Sequence, residues 1–409
     1  MNKHLWIINQ YTSTPKLGGG GNRSYLIANE LIKKGCDVSL VTASYSHVPK
    51  RDYPVENHFH FEKEDQLNLV IVKNIVYDSG RSMKRILSML IFWLKLYWLP
   101  IKKMKEPNYI LVSSISLLPI LNAFYWKRKF KNKPKIILEI RDIWPLTILE
   151  LGNFSKYNPF VLFLSWVEKR GYKNSDYLTS VLPLANKHFE KVAGRKVKFK
   201  HIPNGIHLET ITKEEALDSS TLDLIPKEGF IVGYTGALGV ANAMEYFVEL
   251  ASSFSEIEDV HFVIIGDGYE TENLKKQAEG LKNIFFVPRI NKQQVQSALR
   301  LFDVLYISWR DRKLYHFGIS ANKIFDYMYA AKPIVMSGKI EENEIDLANC
   351  GFVTDFDDTP KMKDYILHLK NMSVEERNEL GKRGKQFVID HRSYENLSDK
   401  YIEVFSEID

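Results

Sequence analysis

Short apolar runs recur along this chain, each closed by a polar or glycine-bearing turn, and most lead into a helical period. The first is Leu5-Trp6-Ile7-Ile8; Val38 to Ala43, Tyr109 to Ser114, Ile136 to Ile140, Tyr177 to Val181 and Lys198 to Ile202 follow. The first of these, a short unbroken apolar run, is typical of a strand buried in a parallel sheet. A second series starts at Phe230 to Tyr234 and continues through His261 to Ile265, Ile284 to Val287, Val304 to Trp309, Pro333 to Met336 and Gly351 to Thr354. The acidic, irregular stretch 207–228 separates the two series and reads as a linker. The fold class is therefore α/β. It predicts domains over 1–206 and 207–392, and a last helix, 393–409, that can cross back to the first domain. A chain of 409 residues, 45% hydrophobic and 26% charged, has core enough for both.

The charge is divided unevenly. Residues 1–200 carry 33 Lys and Arg against 15 Asp and Glu, a net +18, whereas 201–409 carry 23 against 35, a net −12. A basic half beside an acidic half implies different duties. The basic half suits an anionic partner: a membrane, a nucleic acid or a phosphorylated substrate. Compositional bias is the bland alternative. Cys36 and Cys350 give neither a disulfide framework nor a metal spacing, which fits a reducing compartment. Met1-Asn2-Lys3-His4 leads into a short strand and not into the long apolar region of a secretory leader.

Two turns at strand ends hold the first half's candidate chemistry. After Leu5 to Gln10 comes a long turn ending in Gly18-Gly19-Gly20-Gly21-Asn22-Arg23, then a helix to about Lys34. Glycines permit close approach of backbone to a ligand. The run lacks the spacing of a dinucleotide site, so Gly19, Gly20 and Gly21 form either a ligand cradle or a flexible turn. After Ile136 to Ile140 comes Arg141-Asp142-Ile143-Trp144-Pro145. Doubly wound sheets bind ligands at the carboxyl ends of their strands, which is where Arg141 and Asp142 fall. A structural Arg–Asp pair is the alternative. Residues 44–66 read as a polar loop. Its His47, His58 and His60 lack cysteine partners and helical spacing, so they suit a solvent-exposed or substrate-contacting loop better than a metal site.

In the second half, His316-Phe317-Gly318-Ile319-Ser320-Ala321-Asn322-Lys323-Ile324-Phe325-Asp326-Tyr327-Met328 follows a strand and the charged loop Arg310-Asp311-Arg312-Lys313. It predicts a helix that begins at Ser320 or Ala321 and runs to about Ala331. The first N–H groups of a helix have no internal partner and lie at the positive end of its dipole, so a phosphate fits there. Lys323 adds a full positive charge in the first turn. Asp326, one turn on, can accept hydrogen bonds from sugar hydroxyls. An amphipathic helix without a ligand is the alternative.

One further segment stands out. Lys84-Arg85 and Lys102-Lys103-Met104-Lys105 flank an apolar run that contains Trp93, Lys95, Tyr97 and Trp98. The run falls short of the ~20 apolar residues a spanning helix needs, and Lys95 interrupts it. Basic ends around amphipathic aromatics suit a helix lying in a membrane interface. An ordinary helix buried on a sheet explains the same composition.

Taken in order, the glycine-rich turn, Arg141-Asp142-x-Trp144-Pro145, Pro203-Asn204-Gly205, Tyr234-Thr235-Gly236, Ile265-Gly266-Asp267-Gly268 and Ser320-Ala321-Asn322-Lys323-Ile324-Phe325-Asp326-Tyr327 resemble bacterial glycosyltransferase family 4. The resemblance spans essentially the whole chain and is nearest to the L-fucosamine transferase-like branch of O-antigen and capsule synthesis. It implies a GT-B fold, with two Rossmann-like domains facing a central cleft. It implies a retaining, metal-independent transferase with no permanently bound cofactor and a UDP-sugar donor held mostly by the C-terminal domain.

On this resemblance Gly19, Gly20, Gly21, Gly236, Arg289, Ile319, Ser320, Ala321, Asn322 and Asp326 bind the donor, and Arg141, Asp142 and Lys323 are the candidate catalytic groups. The family's acidic pair falls on Gly318 and Asp326, so only the ribose-binding member remains. The Arg and Lys that grip the pyrophosphate fall on Ala237 and Asn242. Lys323 is the first choice to replace their charge, then Arg289 or Arg312. The histidine common at the end of the fifth strand falls on Arg141. The implied acceptor is a sugar on an undecaprenyl-diphosphate carrier. The implied location is cytoplasmic, with peripheral contact to the inner-leaflet surface through residues 84–105. No nucleic-acid module occurs, which excludes nucleic acid as the partner on this reading. A GT-B nucleotide-sugar epimerase and a non-catalytic scaffold of a polysaccharide assembly complex are the competing classes.

Overall fold

The computed structural model describes residues 3–18, 21–47, 50–79, 82–152 and 154–409. The chain divides into two compact units: Met1–Pro203 together with Tyr394–Asp409, and Asn204–Ser393.

The first unit is built on a sheet whose strands run, edge to edge, Phe199–His201, Tyr177–Ser180, Lys135–Ile140, Tyr109–Ser113, His4–Ile8, Asp37–Ala43, Leu67–Val72 and Phe59–Glu64. Neighbours are parallel except the last pair, in which Phe59–Glu64 runs antiparallel to Leu67–Val72. Every residue of His4–Ile8 is buried, which is why the strand appears in the sequence as an unbroken apolar run. Its side chains alternate between two helical layers. Leu5 and Ile7 join a cluster with Leu31 of the helix Arg23–Lys33 and with Tyr401, Val404 and Phe405 of the helix Tyr394–Ile408. Trp6 faces the other way and meets Trp126 and Phe130 edge-on, with ring centroids 5.6 and 5.3 Å away. Trp126 belongs to the helix Pro119–Lys129, which packs against both Met83–Leu96 and Pro159–Asn174.

Residues 44–66 are not the loop that their polarity predicts. Tyr45–His47 pairs antiparallel with Lys50–Asp52, and Phe59–Glu64 closes the sheet. An edge strand is half-exposed and charged, so it lacks the apolar run that marks an inner strand.

Among the described residues the second unit holds a six-stranded parallel sheet in the order Ile284–Val287, Val260–Ile265, Phe230–Thr235, Val304–Ser308, Ile334–Ser337 and Gly351–Thr354. The winding reverses between Phe230–Thr235 and Val304–Ser308, the kind of place at which doubly wound sheets bind ligands. The helix expected near this point spans Asn322–Tyr329, so it starts later than the sequence predicts. Gly318, at φ +104°, turns the chain out of the 3-10 turn Lys313–Phe317 in a conformation that a side chain would strain. The chain then reaches an extended Ala321 before the helix begins.

Candidate functional site

Lys323 is the centre of the second unit's candidate site. Its ammonium donates to the Tyr234 hydroxyl at 2.7 Å and to Asn242 Oδ1 at 2.5 Å. It also lies 4.5 Å from the Tyr234 ring centroid and 5.7 Å from that of Trp309. Among the described residues no carboxylate forms an ion pair with it. Burial pushes the ammonium down to about 7, although part of the side chain still reaches solvent. Desolvation without a counter-charge disfavours the charged form. A cation held in this way is set up to receive an external anion.

The cage around it is built from strand ends. Tyr234 ends a buried strand and donates through its hydroxyl to the Ala237 carbonyl at 2.8 Å. Asn242 Nδ2 donates to the same carbonyl at 2.9 Å, which turns Asn242 Oδ1 toward the ammonium. Tyr327, four residues after Lys323 and on the same helix face, accepts from the Thr235 N–H at 2.7 Å and donates to the Thr235 carbonyl at 3.0 Å. These bonds pin the helix to the end of Phe230–Thr235. The loops after Phe230–Thr235 and Val260–Ile265 press together, with Gly236 N–H on the Ile265 carbonyl and Leu238 N–H on the Asp267 carbonyl, both at 3.0 Å. A Cβ at Gly266 would stand 1.9 Å from the Gly236 carbonyl oxygen, so only glycine permits this approach. A Cβ at Gly236 would stand 3.3 Å from Lys323 Nζ.

The approach to the helix offers hydrogen-bond donors. The amides of Ile319, Ser320, Ala321, Asn322 and Lys323 meet no acceptor among the described residues. They lie at the positive end of the helix dipole. Ser320 is already engaged: its hydroxyl accepts from the Asn204 N–H at 2.8 Å and its carbonyl from Asn204 Nδ2 at 2.6 Å. Its amide remains available, but its side chain serves the fold. Asp326 pairs with the exposed Lys292 at 2.5 Å, a solvent-screened bond of about 0–1 kcal/mol. Arg289 is exposed beyond Ile284–Val287, and the described contacts place neither it nor Arg312 against Lys323. Lys323 thus lies against Asn242 directly and is linked to the Ala237 carbonyl through the Tyr234 hydroxyl.

The first unit's candidates lie at its own strand ends. Arg141 N–H donates to Ser114 Oγ at 3.1 Å. Burial raises the Asp142 carboxyl, and the neighbouring Arg141 and Arg85 only partly oppose this. The Arg85 guanidinium lies 5.7 Å from the Tyr11 ring centroid and 5.9 Å from that of Trp144. The peptide between Trp144 and Pro145 is cis. Gly19 and Gly20 lie outside the described residues, and Gly21 has φ +77°. Arg23, at the end of the glycine-rich turn, is buried on Glu139 (Nε to Oε2, 3.3 Å), on the Ile202 carbonyl at 2.8 Å and on the Tyr401 hydroxyl at 3.2 Å. Tyr401 also donates to Glu139. This cation belongs to the unit's interior. His47 meets the Tyr77 hydroxyl at 3.0 Å and His60 lies 3.7 Å from Glu62. Among the described residues no group of three or more His, Cys, Asp or Glu could hold a metal ion.

Both halves match family models: residues 17–210 match Glycosyltransferase Family 4, and residues 229–371 match Glycosyl transferases group 1. The chain is similar throughout to solved two-domain structures. Sucrose-phosphate synthase from Thermosynechococcus elongatus superposes with a TM-score of 0.68 at 11% identity, covering 100% of this chain and 99% of the other. The trehalose-6-phosphate protein from E. coli bound with UDP-2-fluoro glucose gives 0.71 at 11% identity, covering 98% of each. Anabaena HepE in complex with UDP and glucose gives 0.63 at 12% identity, covering 99% of this chain and 100% of the other. This chain is a glycosyltransferase of the GT-B fold. No curated protein sequence matches it.

The sequence places Lys323 in the first turn of a helix, as found in Asn322–Tyr329, but does not reveal the cage around it. Tyr234 was visible as the residue before Thr235-Gly236, and Trp309 as the end of an apolar run. Nothing in their spacing showed that both rings would meet one ammonium 89 residues away from Tyr234. Asn204 was equally hidden: it lies in the turn after the first unit and reaches Ser320 across 116 residues.

Proposed function

We propose that the transferase moves a sugar, an N-acetylated amino or deoxyamino sugar, from a UDP-sugar to a lipid-linked sugar acceptor in O-antigen or capsule synthesis. The observation that carries the donor half is Lys323, a desolvated ammonium without a carboxylate partner, set beside acceptor-free amides at a helix N-terminus. Sugar transfer builds negative charge on the departing diphosphate. Donors already in place in a poorly solvated site stabilise that charge without reorganising during the reaction. Asp326, one turn along, is positioned to take the ribose hydroxyls in place of Lys292. The uridine nucleotide is supported by the UDP-bearing relatives from Anabaena and E. coli. Retention at the anomeric carbon follows from the family resemblance.

The acceptor half rests on the first unit. Its Arg141 and Asp142 follow a strand end, Arg85 of the helix Met83–Leu96 lies near enough to act on the Asp142 carboxyl, and the two arginines suit an anionic acceptor. The helix Met83–Leu96 supports placement at an inner-leaflet surface through residues 84–105. Met89, Phe92 and Leu96 pack inward, whereas Met83, Leu87 and Leu94 on the helix and Trp98 just after it are 72%, 49%, 44% and 72% exposed.

Thermal unfolding with UDP, GDP and ADP, each without added divalent cation, tests the donor assignment. A ligand at 100 times its dissociation constant adds about 2.7 kcal/mol of stability. Stabilisation by UDP alone is expected. A protein that no nucleotide stabilises would overturn the donor assignment.

A further inference from the structure

We propose that three helices of the first unit, Met83–Leu96, Pro119–Lys129 and Pro159–Asn174, form one docking platform for an anionic lipid bilayer, wider than the 84–105 segment. This deepens the membrane part of the reading above but stands on the first unit alone.

A row of rings crosses all three helices. Tyr125 lies 5.4 Å from Tyr97, Tyr97 6.0 Å from Trp93, Trp93 5.8 Å from Phe163, and Phe163 6.1 Å from Trp166, centroid to centroid. Along this row Leu94, Trp98, Tyr125, Leu162 and Trp166 are 44%, 72%, 37%, 53% and 48% exposed. A contiguous exposed apolar patch marks an interaction surface.

The charges choose the occupant. The three helices carry nine Lys and Arg, of which Lys127 is paired with Asp176 at 2.6 Å, and a single acid, Glu168. Glu168 is buried and bound to His188 at 2.7 Å, so it does not offset the outward field. Lys129 stands 5.3 Å from the Tyr125 ring centroid and Arg170 5.1 Å from that of Trp166, which binds the cations to the edges of the aromatic row. Rings with a polar tip and cations with long stems are the side chains that settle at a headgroup boundary. The exposed leucines need hydrocarbon, which a nucleic acid does not offer. A second copy would bring like charge against like charge. A bilayer with anionic headgroups meets both demands.

The test uses the full chain and vesicles of phosphatidylcholine, alone or mixed with phosphatidylglycerol, in a flotation assay. Binding to the mixed vesicles only, weakening as salt rises, is expected. Leu162→Ser with Trp166→Ser, outside the 84–105 segment, should lower partitioning at least about tenfold. Replacing Arg128, Lys129 and Arg170 by Ser should lower it roughly fivefold per charge. UDP stabilisation should stay unchanged in both variants, which separates this proposal from the donor assignment and checks folding. Equal binding to neutral vesicles, no binding to either kind, or binding that survives Leu162→Ser with Trp166→Ser would overturn the platform. A dimer in vesicle-free solution that these two substitutions abolish would overturn it also.

Discussion

Lys323 and Tyr234 are joined twice: the ammonium donates to the hydroxyl at 2.7 Å and stands 4.5 Å from the centre of the same ring. The lysine is held by a partner that cannot neutralise it, because burial pushes the Tyr234 hydroxyl well above its ordinary range. The free protein therefore carries a destabilised cation, and on the proposed donor reading a bound diphosphate would relieve it.

Lys323→Met keeps the stem and removes the charge. We expect kcat to fall by roughly 10²–10³, the loss seen when one preplaced charge-stabilising donor is removed. UDP should no longer raise the melting temperature. The free variant should be as stable as the parent or more so, by about 0.5–2 kcal/mol, as is common where a strained site residue is relieved. Urea unfolding and turnover measured together decide this; a variant that is both active and UDP-stabilised would refute the phosphate role.

The pH dependence follows from the same group. With the folded ammonium near 7 and the unfolded one near 10.5, the penalty is complete below pH 7. It is relieved as pH rises between those values, so the free protein gains stability over that window. Diphosphate binding needs the ammonium, so UDP affinity should fall by about tenfold per pH unit above 7. Titration calorimetry at pH 8 in buffers of different ionisation enthalpy should show proton uptake approaching one per UDP. Uptake that persists in Lys323→Met would assign it elsewhere.

Asn204 holds the approach to the helix through its two bonds to Ser320. Asn204→Ala removes the 2.6 Å bond to the buried Ser320 carbonyl and should cost about 1–3 kcal/mol. The donor KM should rise more than kcat falls, because the amides at 319–323 lose their support. A stability loss with an unchanged KM would make Asn204 purely structural.

Glu139 closes the interior of the first unit. Burial alone would raise its carboxyl, but Arg23, Arg141 and the bonds from Tyr401 and Ser113 outweigh it and hold the group below its ordinary 4.5. The stabilisation is therefore complete above that value and fades as pH falls through the depressed one. Glu139→Ala strands Arg23 without its counter-charge and should cost about 3–5 kcal/mol. Tyr401→Phe should cost less, about 0.5–3 kcal/mol, because it removes hydrogen bonds to charged groups and no charge. Denaturant midpoints across pH 3–7 check the order.

The inner strands and the head of the Asn322–Tyr329 helix were legible in the chain because burial on both faces and helix starts leave local patterns. The edge strand Phe59–Glu64 was not, since half-exposed backbone needs no apolar run. Arg23 looked like part of a ligand turn and proved to be the partner of Glu139, 116 residues away. By itself, then, the sequence determined two parallel α/β units, the glycine turns and the placing of Lys323 in a first helical turn. Only the tertiary structure decided that Tyr234, Trp309 and Asn242 surround that lysine, that Ser320 belongs to Asn204, and that Met83, Leu87, Leu94 and Trp98 are exposed while Met89, Phe92 and Leu96 pack inward. The reason is range: periodicity and turn chemistry act over a few residues, whereas the partners of a side chain are set by sheet order and strand register, which no local pattern records.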